Sequence, residues 1–422
     1  MSGLKLPKFK SMSINKTLVE YTNPDKVYIP LISSKDTDIE PLVKKGDHVK
    51  KGQVLGRRTG NFKTPICSSL SGKVIGFEEI THYSGIPINS IVIENDFTGN
   101  ITYLNEAREN INKIEREEFL KIIEESGIVG MSGSGFPAYA KYNTDSKINT
   151  LLINAVECEP YITADYTIIK TKFEEILEVI DAILEINNID NAIIVVSEKN
   201  TTAIDIIKKY IGTYLNIKCA LVPDIYPMGW ERKLIKEVLK ISYDKIPIEK
   251  GIIVSNIATI NAIGEALKFN KPLIERIVTF SGDGVNEPCN ILVSIGTRID
   301  EIIDFINGNE KKSVFIANGP MMGSIVDKNL VITPDINMIL SLPNIEKGRL
   351  KECLRCGKCD AACPSHISPV LIKDHVEVNE DTSSFHPELC VECGLCTFTC
   401  PSKIEVRDFV KKAKALLREN AK

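Results

Sequence analysis

Between residues 27 and 95, apolar and polar positions alternate in short runs separated by glycine: VYIPLI, EPLVKKGDHVKKGQVLG, PICSSLSGKVIGF and INSIVIEN. A period of two marks half-buried strands and the glycines mark turns, so this stretch predicts an all-β module. From about residue 112 the period changes. IEREEFLKIIEESGIVG carries apolar residues at helical spacing and stops at glycine. TLLINAVECEPYITAD predicts a buried strand, Leu151 to Asn154, running into a loop. FEEILEVIDAILEIN reads as a helix, NAIIVVSEKN as a strand and TTAIDIIKKYIGTYL as a helix. IKCALVPDIYPMGWERKLIKEVLK adds a strand, a loop and a helix, and GIIVSNIATINAIGEALKF a last strand and helix. Alternation of this kind predicts an α/β layer fold. After residue 275, ERIVTFSGDGVNEPCNILVSIGTRIDEIIDFI and SVFIANGPMMGSIV predict a small α+β module. A helical segment is expected near 343–362. VRDFVKKAKALLREN then closes the chain as an amphipathic helix with a basic outer face.

A chain of 422 residues is too long for one ordinary core, so several domains are expected. Its 43% hydrophobic and 26% charged content is that of a soluble globular protein. A net charge of −4, with no broad basic field, argues against nucleic acid as a partner. No apolar run approaches the roughly 18 to 20 residues that span a bilayer. The N-terminal MSGLKLPKFKSMSINK is basic but lacks an apolar signal core, so a cytoplasmic location is expected. GDHVKKGQVLG and SSLSGKVIGF resemble the two halves of a biotinyl- or lipoyl-carrier sandwich in permuted order. A carrier lysine sits at the tip of a tight hairpin, whereas Lys73 follows Gly72 at a strand start; a structural role is expected.

Of the 12 cysteines, Cys67, Cys158, Cys219 and Cys289 are scattered and read as small buried side chains. The others fall in two runs, CLRCGKCDAACP and CVECGLCTFTCP. Each has spacings of two, two and three residues and ends in proline, Pro364 or Pro401. This is the spacing of bacterial two-cluster ferredoxins. Three cysteines of a run wrap one iron–sulfur cube, and the fourth points at the other. Cys353, Cys356, Cys359 and Cys400 are therefore expected to hold one 4Fe–4S cluster, and Cys390, Cys393, Cys396 and Cys363 the second. Two zinc sites would also use four ligands each, but zinc gives no reason for the doubled pattern. His366, His375 and His386, between the runs, read as surface or packing residues.

A second candidate site lies in the α/β region. GMSGSGFPAYAKY carries Gly130, Gly133 and Gly135, with Lys141 shortly after. Glycine-rich loops let backbone amides approach a phosphate, a weak signal taken alone. The neighbours strengthen it: Glu157, Glu159 and Asp165 follow a predicted strand end, and ligands of open α/β sheets bind at such ends.

Taken together, these segments resemble the RnfC family, the soluble component of the Rnf ion-translocating electron-transport complex, with PrdC and the propanediol cobalamin reductase as relatives. The resemblance runs through GDHVKKGQVLG, SSLSGKV, GIVGMSGSGFPAYAK, NAVECEPYITAD, YPMGWERKL, IVSNIATINAI, ERIVTFSG, NGPMMG and both cysteine runs. The central part is also similar to the NADH- and FMN-binding subunit of respiratory complex I. The fold so implied is multidomain, α/β and α+β: an N-terminal β barrel-sandwich over 1–105, a Rossmann-like FMN/NADH-binding domain over 112–270, an SLBB β-grasp module over 275–330, and a ferredoxin-type domain over 340–422.

The resemblance implies FMN and NAD(H) contacts from Gly130, Gly133, Gly135, Lys141, Asn154, Glu157, Glu159, Asp165, Glu231, Asn256 and Thr259, with Glu157 and Glu159 orienting the ligands. The sequence departs from the family at Ser132, Ser134 and Ala138 in the glycine loop and at Trp230, where the family has a second glycine. The activity implied is NADH-linked electron transfer through FMN to two 4Fe–4S clusters, in a complex peripheral to the cytoplasmic membrane. The partners would be other electron-transfer subunits, membrane-embedded ones in an Rnf complex. Two alternatives share these residues: an electron carrier for a soluble reductase, and a cluster-only adaptor without a working nucleotide site.

Overall fold

The first hundred residues form two small sheets closed face to face. After β1 (Val19–Tyr21), which leaves for a later sheet, come β2 (Lys26–Pro30), β3 (Ile39–Pro41), β4 (His48–Val49), β5 (Val54–Arg58), β6 (Pro65–Cys67), β7 (Gly72–Thr81) and β8 (Pro87–Asn95). One sheet has the order β2-β8-β7-β4 and the other β3-β5-β6. Val27, Ile29, Leu55, Val74, Ile91 and Ile93 fill the space between them. Lys73 lies inside β7, opposite His48 and Glu94 rather than at a hairpin tip. Gly72, which opens β7, packs so closely on β8 that a side chain there would land on the Glu94 carbonyl. The computed structural model describes residues 3–32, 38–60, 62–133, 135–308, 313–343 and 351–420.

The α/β region follows the predicted alternation. α1 (Arg116–Glu125) and α2 (Tyr139–Tyr142) lead into β9 (Thr150–Asn154), α3 (Ala164–Ile186), β10 (Asn191–Ser197), α4 (Thr201–Tyr210), β11 (Ile217–Val222), α5 (Glu231–Leu239), β12 (Ile252–Asn256) and α6 (Ile257–Phe269). The four strands are parallel, in the order β11-β10-β9-β12. Leu151 and Ile153 of β9 face a layer containing α3 and α6, while Leu152 faces a second layer with Leu234 and Ile235 of α5. Burial on both faces explains why β9 is an unbroken apolar run rather than an alternating one. α3 begins at Ala164, ahead of the helix read from Phe173, with a non-helical residue at Lys172 (φ −136°) joining the two parts.

β13 (Glu275–Ser281), β14 (Cys289–Ser294), α7 (Ile299–Phe305), β15 (Ser313–Ala317), β16 (Ser324–Val326) and β17 (Met338–Pro343) build a mixed sheet of order β1-β14-β13-β17-β15-β16. This sheet takes in β1 from near the start of the chain and β17, so the module is not confined to 275–330. Lys51 of the barrel pairs with Glu275 at the start of β13, and Lys271 pairs with the same carboxylate. Three modules are thereby fastened at one half-buried ion cluster.

Of the helical segment expected near 343–362, the described residues show helix only at its end. β17 ends at Pro343, residues 344–350 lie outside the described residues, and 351–357 form a loop that precedes α8 (Lys358–Ala362). Arg355 and Gly357 adopt left-handed φ of 50° and 68°, which no α-helix accommodates. α9 (Pro369–Glu377), α10 (Leu395–Phe398) and α11 (Val406–Asn420) complete the chain. α9 and α11 pack through Ile372, Val376, Val410 and Ala413. Among the described residues no helix is long and apolar enough to cross a membrane.

Gly72→Ala is expected to lower stability by about 2 kcal/mol, because the added methyl must displace the β8 backbone. The urea midpoint of the variant against the parent chain measures this, and an unchanged midpoint would contradict the packing described.

Candidate functional site

Strand order fixes where the site lies. From β9 the chain builds outward through β10 and β11, then returns to lay β12 on the other side of β9. At such a switch point the loops leaving two adjacent strands diverge and open a crevice at their carboxyl ends. Asn154 ends β9 and Asn256 ends β12, paired in register. Asn256 caps α6 by accepting the Ala258 amide at 2.9 Å. Its amide group donates to Asp165 at 2.6 Å and to Asn154 O at 3.3 Å. Asn154 in turn donates to Gly229 O at 2.9 Å, beside the half-buried Trp230.

The glycine loop hangs over this edge. Gly130 donates to Phe136 O and accepts from Gly135, closing the loop on itself. The Met131 amide donates to Thr259 Oγ1 at 3.1 Å, tying the loop to α6. Gly133 has φ +90°, and no heavy atom lies within 4 Å of where its Cβ would be, so the loop faces open space there. Ser134 lies outside the described residues. Lys141 sits behind the loop: its amine is buried, donates to Val254 O at 2.7 Å and is lowered below the usual lysine range by that burial, which nearby Glu231 opposes. Glu231 itself accepts from the Tyr243 hydroxyl at 2.7 Å.

Two carboxyls dominate the electrostatics at the edge. Glu157, its side chain 7% exposed, is pushed up to about 7 by burial, against the pull of Lys10 at 3.2 Å. It also accepts the Asp165 amide at 2.8 Å. Asp165 is raised by burial too, with Asn256 and Arg276 opposing. Glu159 points elsewhere. It is 8% exposed, and its Oε1 accepts the Met321 and Met322 amides at 2.7 and 3.3 Å. Its Oε2 is buried without a hydrogen-bond partner among the described residues, since the nearby Tyr226 hydroxyl is committed to Cys393 O. Burial pushes Glu159 up to about 7 as well.

Two features at the edge escape a reading of the sequence. The N-terminal segment lies across the acidic loop: Lys10 pairs with Glu157, Lys8 with Asp224 at 2.9 Å, and Phe9 stacks on Tyr161 at 4.7 Å. Its basic composition is the only signal the sequence offers. Arg276 of β13 is 3% exposed, and burial brings its guanidinium down to about 10. It donates to Pro334 O and, at 3.4 Å, to Met131 O of the glycine loop. It lies in a strand pattern, where nothing distinguishes it from an outward-facing charge.

The two cysteine runs meet in crossed sets. Cys353, Cys356, Cys359 and Cys400 line one pocket, and Cys363, Cys390, Cys393 and Cys396 line another. All eight thiols are free of disulfides. Among the described residues no three His, Cys, Asp or Glu side chains converge closely enough for one ion. Burial pushes the Cys393 and Cys396 thiols up to about 12 and Cys359 up to about 11, so their ionisation calls for the positive charge of bound iron. The donor sets fit two cubes.

Residues 1–98 match the RnfC barrel sandwich hybrid domain, 123–265 the Nuo51 FMN-binding domain and 352–404 the 4Fe-4S dicluster domain. Over 372 residues the chain is 34% identical to the C subunit of the proton-translocating ferredoxin:NAD(+) oxidoreductase complex of Clostridium ljungdahlii, a match that takes in 86% of this chain and 81% of that one. The chain belongs to the RnfC family. A second RnfC relative, the C subunit of the Na(+)-translocating ferredoxin:NAD(+) oxidoreductase complex of Acetobacterium woodii, is 29% identical over 385 residues, covering 89% of this chain and 87% of its own. The RnfC relative from Vibrio cholerae, the C subunit of an ion-translocating oxidoreductase complex, is 31% identical, and the match spans 88% of this chain and 49% of that one. In fold, the chain is similar to a NAD+-reducing NiFe hydrogenase, with a TM-score of 0.52 and 14% identity over 71% of this chain and 63% of that one. The glycine loop, open at Gly133, and the carboxyls of Glu157 and Asp165 at the same sheet edge are compatible in chemistry with a ligand of the FMN type.

The Glu157 carboxyl binds its proton more tightly folded than unfolded, so it costs stability as pH rises from about 4.5 to about 7. Glu157→Gln removes that linkage. Its stability relative to the parent chain should improve by roughly 1 kcal/mol per pH unit through that window. Urea midpoints at several pH values test this; a difference that does not vary with pH would refute the buried, proton-holding carboxyl.

Proposed function

We propose that this RnfC-family chain passes electrons between NADH and two 4Fe–4S clusters through FMN, within a membrane-associated ion-translocating complex whose other subunits are its partners. The observation that carries the reading is the union, on one chain, of an FMN-binding domain of the Nuo51 type with two crossed cysteine cavities. The relatives' names as ferredoxin:NAD(+) oxidoreductase subunits support the two ends of the path. Bound FMN supplies the conversion between a two-electron hydride and single electrons, which clusters take one at a time.

In this reading the residues bind, orient and exclude water. The loop of Gly130, Gly133 and Gly135 meets phosphate on its open side at Gly133, the Gly130 and Gly135 amides being bonded within the loop, with Asn256 and Thr259 fixing the loop and its helix. Asn154, Glu157 and Asp165 accept from the ligand's hydroxyl and ring N–H groups. Lys141 and Glu231 set the charge behind the loop, and Trp230 forms the rim. Cys353, Cys356, Cys359 and Cys400 ligate one cluster, and Cys390, Cys393, Cys396 and Cys363 the other. The mixed sheet with α7 packed across it is read as an SLBB β-grasp module that takes β1 and β17 as outer members. Location at the cytoplasmic face, held by partner subunits, goes with this assignment.

Anaerobic spectra of the cluster-loaded, FMN-supplemented chain decide the central point. NADH should bleach both the flavin band and the broad iron–sulfur band. Bleaching by dithionite with none by NADH would sink the flavin entry and leave a cluster-only adaptor. The crossed ligation has its own test. Cys363→Ser and Cys390→Ser should remove the same cluster, each lowering iron from about eight to about four atoms per chain and leaving the same residual resonance. Residual resonances that differ between the two variants would refute the crossing.

A further inference from the structure

Tyr226 is fully buried in the loop before α5, on the flavin-type domain. Its hydroxyl donates at 2.7 Å to the carbonyl of Cys393, inside the second cysteine run. Glu159, from the same domain, accepts the amides of Met321 and Met322, in the NGPMMG turn between β15 and β16. From the other side, Arg407 of α11 donates to Met321 O at 2.6 Å and to Gly323 O at 3.0 Å. Gly394, next to Cys393, lies so close to this turn that a side chain there would land on the Met321 carbonyl. Leu6, Tyr226, Met321, Cys393 and Leu395 share one apolar cluster.

These contacts differ from those of a loose domain boundary, which is polar and crossed by few bonds. Three long side chains, two from the flavin-type domain and one from α11, end on backbone groups of a single turn and a single cysteine loop. Backbone groups move only with their segments, so the bonds fix segment positions and not just side-chain rotamers. The first cysteine run is more open to solvent. Cys356 is exposed and Leu354 is 65% exposed beside it.

We propose that Glu159, Tyr226 and Arg407 are positioning residues that clamp the Cys390–Cys396 loop to the flavin-type domain, so that the cluster of Cys363, Cys390, Cys393 and Cys396 exchanges electrons with the flavin site first and the cluster of Cys353, Cys356, Cys359 and Cys400 second. This rests on the function proposed above and adds the order of transfer and the residues that enforce it. The electron count closes. NADH oxidised to NAD+ gives up a hydride, its two electrons cross the clamp singly, each reduces one cluster, and the proton returns to water. The reverse path consumes the same proton and electrons.

The full chain loaded with clusters and FMN carries the test, in the parent form and as Tyr226→Phe and Arg407→Gln. Hydrogen exchange over 319–323 and 390–396 should quicken about fivefold in the variants. Transfer is then started by photoreducing the flavin, without NADH, and the iron–sulfur band is followed. Bleaching should slow on the order of tenfold at unchanged iron content and unchanged cluster potentials. Starting with light separates this test from the nucleotide site: a chain blind to NADH whose light-driven bleaching slows in the variants loses the NADH reading and keeps the clamp. Bleaching at the parent rate, with or without faster exchange, overturns the clamp. If Arg407→Gln fails to retain clusters, Arg407→Lys, which keeps the charge but has a single donor group, takes its place under the same criteria.

Discussion

β9 leaves the sheet at Asn154 with a strand on each side of it, and most of the chemistry in the flavin-type domain follows from that placement. A parallel strand flanked on both sides cannot turn back on itself, so its loop must run out over the sheet edge. That loop carries Glu157, and the start of α3 just after it carries Asp165, into a space also reached by the Asn256 cap and the glycine loop, while Glu159 turns away to the Met321 and Met322 amides. Asn256 bonds to both Asp165 and Asn154. One side chain thus couples the start of α6, the end of β9 and the acidic loop. Replacing it would free three elements at once and leave Asp165 buried without its donor.

Legibility in the sequence follows the range of the interactions involved. The cysteine runs are readable because ligation depends on spacing within a few residues, and the crossed sets then appear around two cavities. The parallel sheet is readable from the lengths and periods of its segments. The failures lie where distant segments meet. Val19–Tyr21 pairs with Ile291–Val293, a partnership no local pattern encodes. Lys8 and Lys10 look like part of a basic tail, yet they are placed by Phe9 stacking on Tyr161 and by the Leu4–Tyr226 bridge. The helical segment expected near 343–362 is loop over 351–357 for a local reason: the cysteine loop demands left-handed residues at Arg355 and Gly357, and periodicity does not register them. Glu157 and Glu159 are two residues apart, and by sequence they form one pair. The backbone at Glu157 is left-handed (φ 46°), and the two carboxyls end on different modules.

The charges at the edge can be read as a preparation for an anionic ligand. Glu157, Asp165, Lys10 and Arg276 are all drawn out of water, and burial shifts Glu157 and Asp165 toward their neutral forms and lowers Arg276. A carboxyl held near 7 is partly protonated at neutral pH. It can therefore donate as well as accept, and it repels a phosphate less than an ordinary carboxylate does. Lys10 contributes positive charge from a segment that crosses the edge without belonging to the domain. An acidic loop that would otherwise turn away nucleotides becomes compatible with them while keeping acceptors for ribose and ring groups. The compensation is local: Lys10 serves Glu157, Asn256 and Arg276 serve Asp165, and Glu159 is held by the backbone amides of Met321 and Met322. Glu157 is held by Lys10 and by the Asp165 amide and Asp165 by the Asn256 side chain, whereas Glu159 is fixed to the amides of the Met321–Met322 turn and cannot yield without moving that turn.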